Sequence, residues 1–262
     1  MSEEANATTE TPAPRSRRVD EERRRFLRST AVGGAVACAS LIGLLQHKSA
    51  EASPRLRPPG ALDEEDFLAA CIKCGQCVQV CPVSAIRLGD IDQFLGNGVP
   101  FIVARAQACD FSCDATQCVL ACPTGALSHL LDKKEQSRMG VAQLAAPDAC
   151  LARKGQPFKG LARGDAFKGR LRYSEIDRWR PQPVASHPYD LPICDLCVRQ
   201  CPIENAIALA PLSDDPQDKR RTPVVKDACV GCGVCEMVCP AEPAAIRVDI
   251  RVTGREIKGG AA

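Results

Sequence analysis

The sequence predicts an α+β chain of four short strand, loop and helix units in tandem, held together by sulfur rather than by a large aromatic core. Three observations carry this. Fifteen of the 17 cysteines fall in four tight groups. Each group closes on Cys-Pro and is followed by a small apolar pair: Ala85-Ile86, Ala126-Leu127, Ala206-Ile207 and Ala245-Ile246. Ile246-Arg-Val248-Asp-Ile250-Arg-Val252 alternates strictly, as a half-buried strand does. Aromatic residues are only 4%, so large rings cannot dominate a core. The 262 residues allow one large domain or two small ones. With 34 basic against 32 acidic residues, nothing calls for nucleic acid as a partner.

In chain order, residues 1–22 are polar and read as disordered. Arg23-Arg24-Arg25-Phe26-Leu27-Arg28 follows, then an uncharged stretch from Ser29 to Gln46 and the small-residue site Ala50-Glu51-Ala52. Basic region, apolar run and small residues make residues 1–52 an export signal. Two arginines before x-Phe-Leu-Arg resemble the twin-arginine variety. That resemblance implies the twin-arginine export machinery as a partner, passage in the folded state and a periplasmic destination. The 18 uncharged residues just reach a bilayer span, so an uncleaved signal acting as a membrane anchor is the alternative. Cys38, inside this run, reads as a small apolar residue.

Residues 53–262 form the four-unit domain. The first group, Cys71, Cys74, Cys77, Cys81-Pro82, and the last, Cys229, Cys232, Cys235, Cys239-Pro240, share the spacing C-x2-C-x2-C-x3-C-P. This is the spacing of bacterial-type ferredoxins that bind [4Fe–4S] clusters. The second, Cys109, Cys113, Cys118, Cys122-Pro123, is looser, and the third, Cys194, Cys197, Cys201-Pro202, is one cysteine short. Three close thiolates let a tight loop wrap one cubic cluster, and the fourth, a helical turn on, points at a neighbouring cluster. Proline then turns the chain away. Gly75 and Gly233 would keep backbone close to the cluster. Short β-like runs at Val99 to Arg105 and Thr222 to Lys226 complete the repeat of strand, loop, short helix, Cys-Pro, turn and strand.

Four clusters need sixteen thiolates and the groups supply fifteen. Cys38 lies in the signal, so Cys150 is the expected missing ligand of the third group; a buried structural thiol is its plain alternative. A disulfide scaffold would suit an exported chain, but 17 cysteines in 262 residues fall below the density of such scaffolds. Zinc fits poorly, since four thiolates in eleven residues before proline do not match a zinc knuckle. With four oxidised clusters the net charge would be roughly −6 rather than +2.

Arg55-Leu-Arg-Pro-Pro-Gly-Ala61, Phe67, the first cysteine group, Arg138-Met139-Gly140 and the last group resemble the exported ferredoxin-type proteins NapG, of periplasmic nitrate reduction, and MauM, of methylamine utilisation. The resemblance covers about residues 54–150 and 190–250. It implies an electron carrier with four [4Fe–4S] clusters, tandem ferredoxin-like modules and no independent catalysis. Electrons would pass from a membrane quinol-oxidising iron–sulfur partner toward a periplasmic oxidoreductase or cytochrome, of the nitrate reductase or methylamine dehydrogenase type. It also implies that the first group pairs with the fourth and the second with the third. The ligand sets would then be Cys71, Cys74, Cys77 and Cys239; Cys109, Cys113, Cys118 and Cys201; Cys150, Cys194, Cys197 and Cys122; and Cys229, Cys232, Cys235 and Cys81. Spacing alone equally permits neighbours to pair, first with second. Three alternative functions remain: the iron–sulfur subunit of an exported molybdenum-type oxidoreductase, a maturation factor for a periplasmic enzyme, or a non-redox disulfide or zinc binding module.

The chain departs from that group in the 43 residues between Cys150 and Cys194 and in the x3 spacing of Cys109 to Cys113. The insertion, 151–193, is basic and holds Phe158, Phe167, Tyr173, Trp179 and Tyr189. It reads as a solvated surface loop, or more sharply as a partner-docking or cluster-covering element. On the docking reading, deleting 152–190 would weaken coupling to a partner and leave iron intact. His129 and His187 read as ordinary surface or packing residues, and no flavin, nicotinamide or phosphate-loop fingerprint is present.

Overall fold

A computed structural model describes residues 16–48, 55–90, 97–113, 115–173, 176–177 and 180–250. The chain divides into two compact units, Met1–Ser53 and Pro54–Ala262.

In the first unit a single helix, α1 (Ser16–Lys48), contains the arginine run and the uncharged stretch. It begins before the expected boundary, because residues 16–22, read as disordered, join it. Glu21 and Glu22 stand three or four positions before Arg24 and Arg25, a spacing that supports a helix. Among the described residues no helix is long and apolar enough to cross a membrane.

The second unit is built twice from one plan. In the first half, β1 (Ile86–Leu88) and β2 (Pro100–Ile102) form a hairpin between the first and second cysteine groups. Backbone flanking those groups closes across it through an antiparallel bridge, Ala61 to Leu127. In the second half, β8 (Ile207–Pro211) and β9 (Arg221–Val225) form the hairpin between the third and fourth groups. The flanks pair as β3 (Gly140–Leu144) with β10 (Ile246–Ile250). Each cysteine group carries a single helical turn: α3 (Gln76–Gln79), α4 (Gln117–Leu120), α5 (Leu196–Arg199) and α6 (Val234–Val238). α3 packs on α4 and α5 on α6, so neighbouring groups share a half. The strands expected near 99–105, 222–226 and 246–252 all exist: the first is shorter, the second is shifted by one residue, and 251–252 of the third lie outside the described residues.

The entrance to the first half is set by α2 (Glu64–Ala70), which buries Phe67 and hands its last turn to Cys71. Arg57 fixes it, pairing with Glu64 at 2.9 Å, donating to the Pro100 carbonyl at 2.8 Å and lying over the Phe67 ring.

The insertion is not a solvated loop. β4 (Phe158–Leu161) pairs with β7 (Pro188–Leu191), and β5 (Arg170–Leu171) with β6 (Gln182–Pro183). Leu171, Tyr173, Val184, Tyr189 and Leu191 are buried. The Tyr173 and Tyr189 hydroxyls meet at 3.2 Å and His187 stacks on Tyr173, so the packing role read for His187 is what it has. Lys154, Lys159, Lys168 and Arg170 are exposed while Leu171, Tyr173 and Tyr189 are buried, which composition alone conceals. Trp179 lies outside the described residues. Gln107 exchanges two hydrogen bonds with the Arg170 backbone, 2.9 and 2.8 Å, and Asp110 accepts from the Arg172 N–H at 2.9 Å. Arg163 donates to the Met237 carbonyl at 3.1 Å. The insertion therefore lies across the junction of the two halves.

That junction has its own latch. Arg105, after β2, donates to the carbonyls of Glu236 and Cys239, each at 2.7 Å, and of Ala241 at 2.8 Å, and pairs with Glu242. It thus satisfies carbonyls left open at the end of α6, as a basic residue at a helix C-terminus does.

Candidate metal centres

All seventeen cysteines are free thiols. Sixteen of them gather into four sets. Cys77 faces Cys71, Cys74 and Cys122, and these four line a recess of about 350 Å³, site 1. Cys113 and Cys118 face Cys81, and Cys109 faces Cys118; these four are site 2. Cys150, Cys194, Cys197 and Cys239 line a recess of about 380 Å³, site 3. Cys201, Cys229, Cys232 and Cys235 line one of about 340 Å³, site 4.

This arrangement corrects the pairing implied by the family resemblance. The fourth thiols of the first and second groups are exchanged with each other, Cys81 and Cys122, as are those of the third and fourth, Cys201 and Cys239. Cys239 does not reach Cys71, nor Cys122 the third group, because each helical turn aims its last cysteine at the helix it packs on. Cys150 stands beside Cys194 and Cys197, across the insertion.

The sets are ordered in space. Cys77 and Cys118 join sites 1 and 2. Cys109 faces Cys232, and its N–H donates to the Cys232 carbonyl at 3.3 Å, joining sites 2 and 4. Cys235 faces Cys197, joining sites 4 and 3. The sequence of sites is 1, 2, 4, 3.

The small apolar pair after Cys-Pro acquires a role in three of the four groups. Backbone N–H groups of Ala85, Leu127 and Ala245 donate to the sulfurs of Cys81, Cys122 and Cys239 at 3.3, 3.4 and 3.3 Å. Ala142 on β3 does the same for Cys229 at 3.5 Å. Gly75 and Gly233 cap α3 and α6 with left-handed backbone, φ 74° and 87°. A Cβ on Gly233 would stand 2.5 Å from the Ala104 Cβ, so this glycine serves the seam between halves as well as its own loop.

Burial pushes the Cys77 thiol up to about 11 and those of Cys118, Cys194 and Cys232 up to about 12. Cys109, Cys197 and Cys235 are pushed up for the same reason. Cys122 runs the other way: burial raises it, but N–H donors from Leu127, Thr124 and Gly125 and the Thr124 hydroxyl outweigh burial and lower it. At the raised positions burial favours the protonated thiol, and a strong cationic centre would convert it to the thiolate.

The fit to a polynuclear group is good. Four thiols surround a space rather than a point: among the described residues no three Cys, His, Asp or Glu side chains converge as closely as a single metal ion needs. The recesses at sites 3 and 4 are almost wholly apolar apart from sulfur, and N–H donors aim at cysteine sulfurs, the environment in which iron–sulfur clusters are held. What sequence reasoning missed is Arg105, Gln107 and Asp110, charged or polar groups with no motif around them. Their only signal is position, just before and within the second cysteine group.

The 4Fe-4S dicluster domain family matches residues 70–151 and 193–242, stopping and resuming at the two ends of the insertion. The chain is 36% identical over 240 residues to the ferredoxin-type protein NapG of Escherichia coli K12, covering 89% of this chain and 88% of that protein. It is 34% identical over 262 residues to the methylamine utilization ferredoxin-type protein MauM of Methylobacillus flagellatus, 99% and 95% of the two chains. MauM of Paracoccus denitrificans is 37% identical over 223 residues, 83% and 82%. No solved structure matches the chain.

Proposed function

The chain belongs to the 4Fe-4S dicluster family, among the ferredoxin-type proteins NapG and MauM, and on that premise we propose that it is an exported electron carrier holding four [4Fe–4S] clusters in a row. Site 1 would be held by Cys71, Cys74, Cys77 and Cys122, and site 2 by Cys81, Cys109, Cys113 and Cys118. Site 3 would be held by Cys150, Cys194, Cys197 and Cys239, and site 4 by Cys201, Cys229, Cys232 and Cys235. The clusters supply one-electron storage at each site. The protein supplies the rest. Its thiols fix four positions in sequence, apolar walls keep water away, and backbone N–H groups donate to cysteine sulfur, which favours the more electron-rich state and raises the potential.

The carrying observation is that Cys150 and the fifteen thiols of four separate groups assemble into four sets of four, each with a thiol near one of the next set. The arginine run and uncharged stretch of α1 support export by the twin-arginine route to the periplasm. The printed names of the relatives support a place beside nitrate reduction or methylamine utilisation, with a membrane quinol-oxidising partner upstream and a periplasmic oxidoreductase or cytochrome downstream. Iron and sulfide analysis of anaerobically purified protein, with low-temperature EPR of the reduced form, tests the reading. About 16 irons and 16 sulfides per chain are expected. Colourless protein whose thiols are joined to one another or to zinc would overturn it.

A further inference from the structure

We propose that the first electron taken up by the oxidised protein comes to rest at site 1, and that the Thr124 hydroxyl fixes this preference by bonding the Cys122 sulfur; the proposal rests on the electron-carrier reading. The step moves one electron from a donor of lower potential onto one site and makes or breaks no bond. Added charge makes a thiolate-ligated cluster more negative, so the site that best stabilises negative charge is reduced first. Hydrogen bonds to sulfur, access to water and nearby fixed charge decide which site that is.

The first two single out site 1. The Thr124 hydroxyl stands 3.8 Å from the Cys122 sulfur, and because a thiolate there can only accept, the hydroxyl donates. The Leu127 N–H donates to the same sulfur at 3.4 Å. Among the described residues no other side chain hydrogen-bonds a cysteine sulfur. Two residues after the other fourth cysteines stand Val83, Ile203 and Ala241, which have no hydroxyl. At site 4 the Cys201 sulfur instead lies 3.3 Å from the Ile203 carbonyl, an acceptor. Water access points the same way, since of the sixteen thiols Cys74 alone is exposed. Fixed charge does not oppose this order. Lys73 lines the site 1 recess, and the acidic residues before it on α2 are Glu64, paired with Arg57, Glu65 and Asp66. Carboxylates reach the other sites too. Asp110 faces Cys109, Cys113 and Cys232 of sites 2 and 4, with Lys134 near Cys201 against it. Asp195 faces Cys194 of site 3 and Asp148 lies two residues before Cys150, with Arg163 near Cys239 against them. Site 1 adjoins only site 2, so it is an end of the row, and an electron held there waits where an acceptor can reach it.

The test uses the full chain, loaded with iron anaerobically and titrated with dithionite in the presence of redox mediators, with low-temperature EPR at each potential. Thr124→Val keeps the shape of the side chain and removes the hydroxyl. It is expected to lower the potential of the first reductive step alone. The ratio of reduced to oxidised protein at a fixed potential in that step should fall about threefold, the energy of one weak hydrogen bond, or about 28 mV at about 59 mV per tenfold. Thr124→Ser keeps a hydroxyl and is expected to titrate as the unaltered chain does, which separates tuning from packing. A shift in a later step, or no shift, overturns the proposal. So does a Thr124→Ser variant that titrates like Thr124→Val. Loss of iron from Thr124→Val also overturns it, assigning the residue to holding its turn. A chain that never takes up reducible iron is recognised before titration, by its colourless solution, and overturns the carrier reading itself.

Discussion

Replacing Cys77 and Cys122 by alanine, singly and together, decides which thiols share a site. The structure puts both against Cys71 and Cys74, whereas pairing the second group with the third would send Cys122 to Cys150, Cys194 and Cys197. Alanine leaves no oxygen to replace the lost thiolate. With four irons per site, each single variant falls from about 16 to about 12 irons per chain. If the two thiols hold one group, the second loss adds nothing and the double variant also holds about 12. If they hold different groups the losses add, and the double variant holds about 8. The pair Cys77 and Cys239 runs the opposite way: about 8 from the structure, about 12 if the first group paired with the fourth. Iron and sulfide counts on anaerobically purified variants, with circular dichroism to confirm folding, read the difference directly. Additive loss for Cys77 with Cys122 refutes the assignment of sites.

Two further outcomes follow from burial. The thiols of Cys118, Cys194 and Cys232 are pushed up to about 12 from an ordinary 9.0, so the iron-free fold prefers them protonated. Their contribution to stability is complete below the unfolded value and is lost as pH rises through the folded one. Iron-stripped protein under reducing conditions should therefore lose thermal stability as pH climbs from about 8 to about 11, and a melting temperature flat across that range would contradict the burial described. The insertion supplies the other outcome. Tyr173→Ala empties a buried aromatic position and should cost about 4 kcal/mol, read by chemical denaturation. Deleting 152–190 should lower iron content, since it uncovers the segment from Gln107 to Phe111 and Met237; full iron retention would restore the reading of a dispensable docking loop.

Much of this molecule is legible in its sequence because cluster spacing is local. The sixteen thiols, the repeat, the alternating β10 strand and the place of Cys150 all follow from short-range pattern and a count. The partner of each fourth cysteine does not, because it depends on which helical turns pack together, and α3 on α4 with α5 on α6 is a tertiary choice. The insertion misleads for a different reason. Its Lys and Arg content suggests a solvated face, yet Pro188-Tyr189-Asp190-Leu191 alternates exposed and buried residues, a period that could have been found. Arg105 leaves no sequence trace beyond its place just before the second cysteine group, since one arginine among many becomes a latch only when α6 arrives beneath it.

The pairing of β3 with β10 sets a timetable for synthesis. The first half has every thiol it needs once Cys122 has emerged from the ribosome. The second cannot close until Cys239 appears, 117 residues later, because its first strand waits for its last. At ordinary translation speed that is a delay of roughly 6–23 s, during which one half can be loaded while the other stays open. A truncated chain would thus carry a finished half beside an unfinished one.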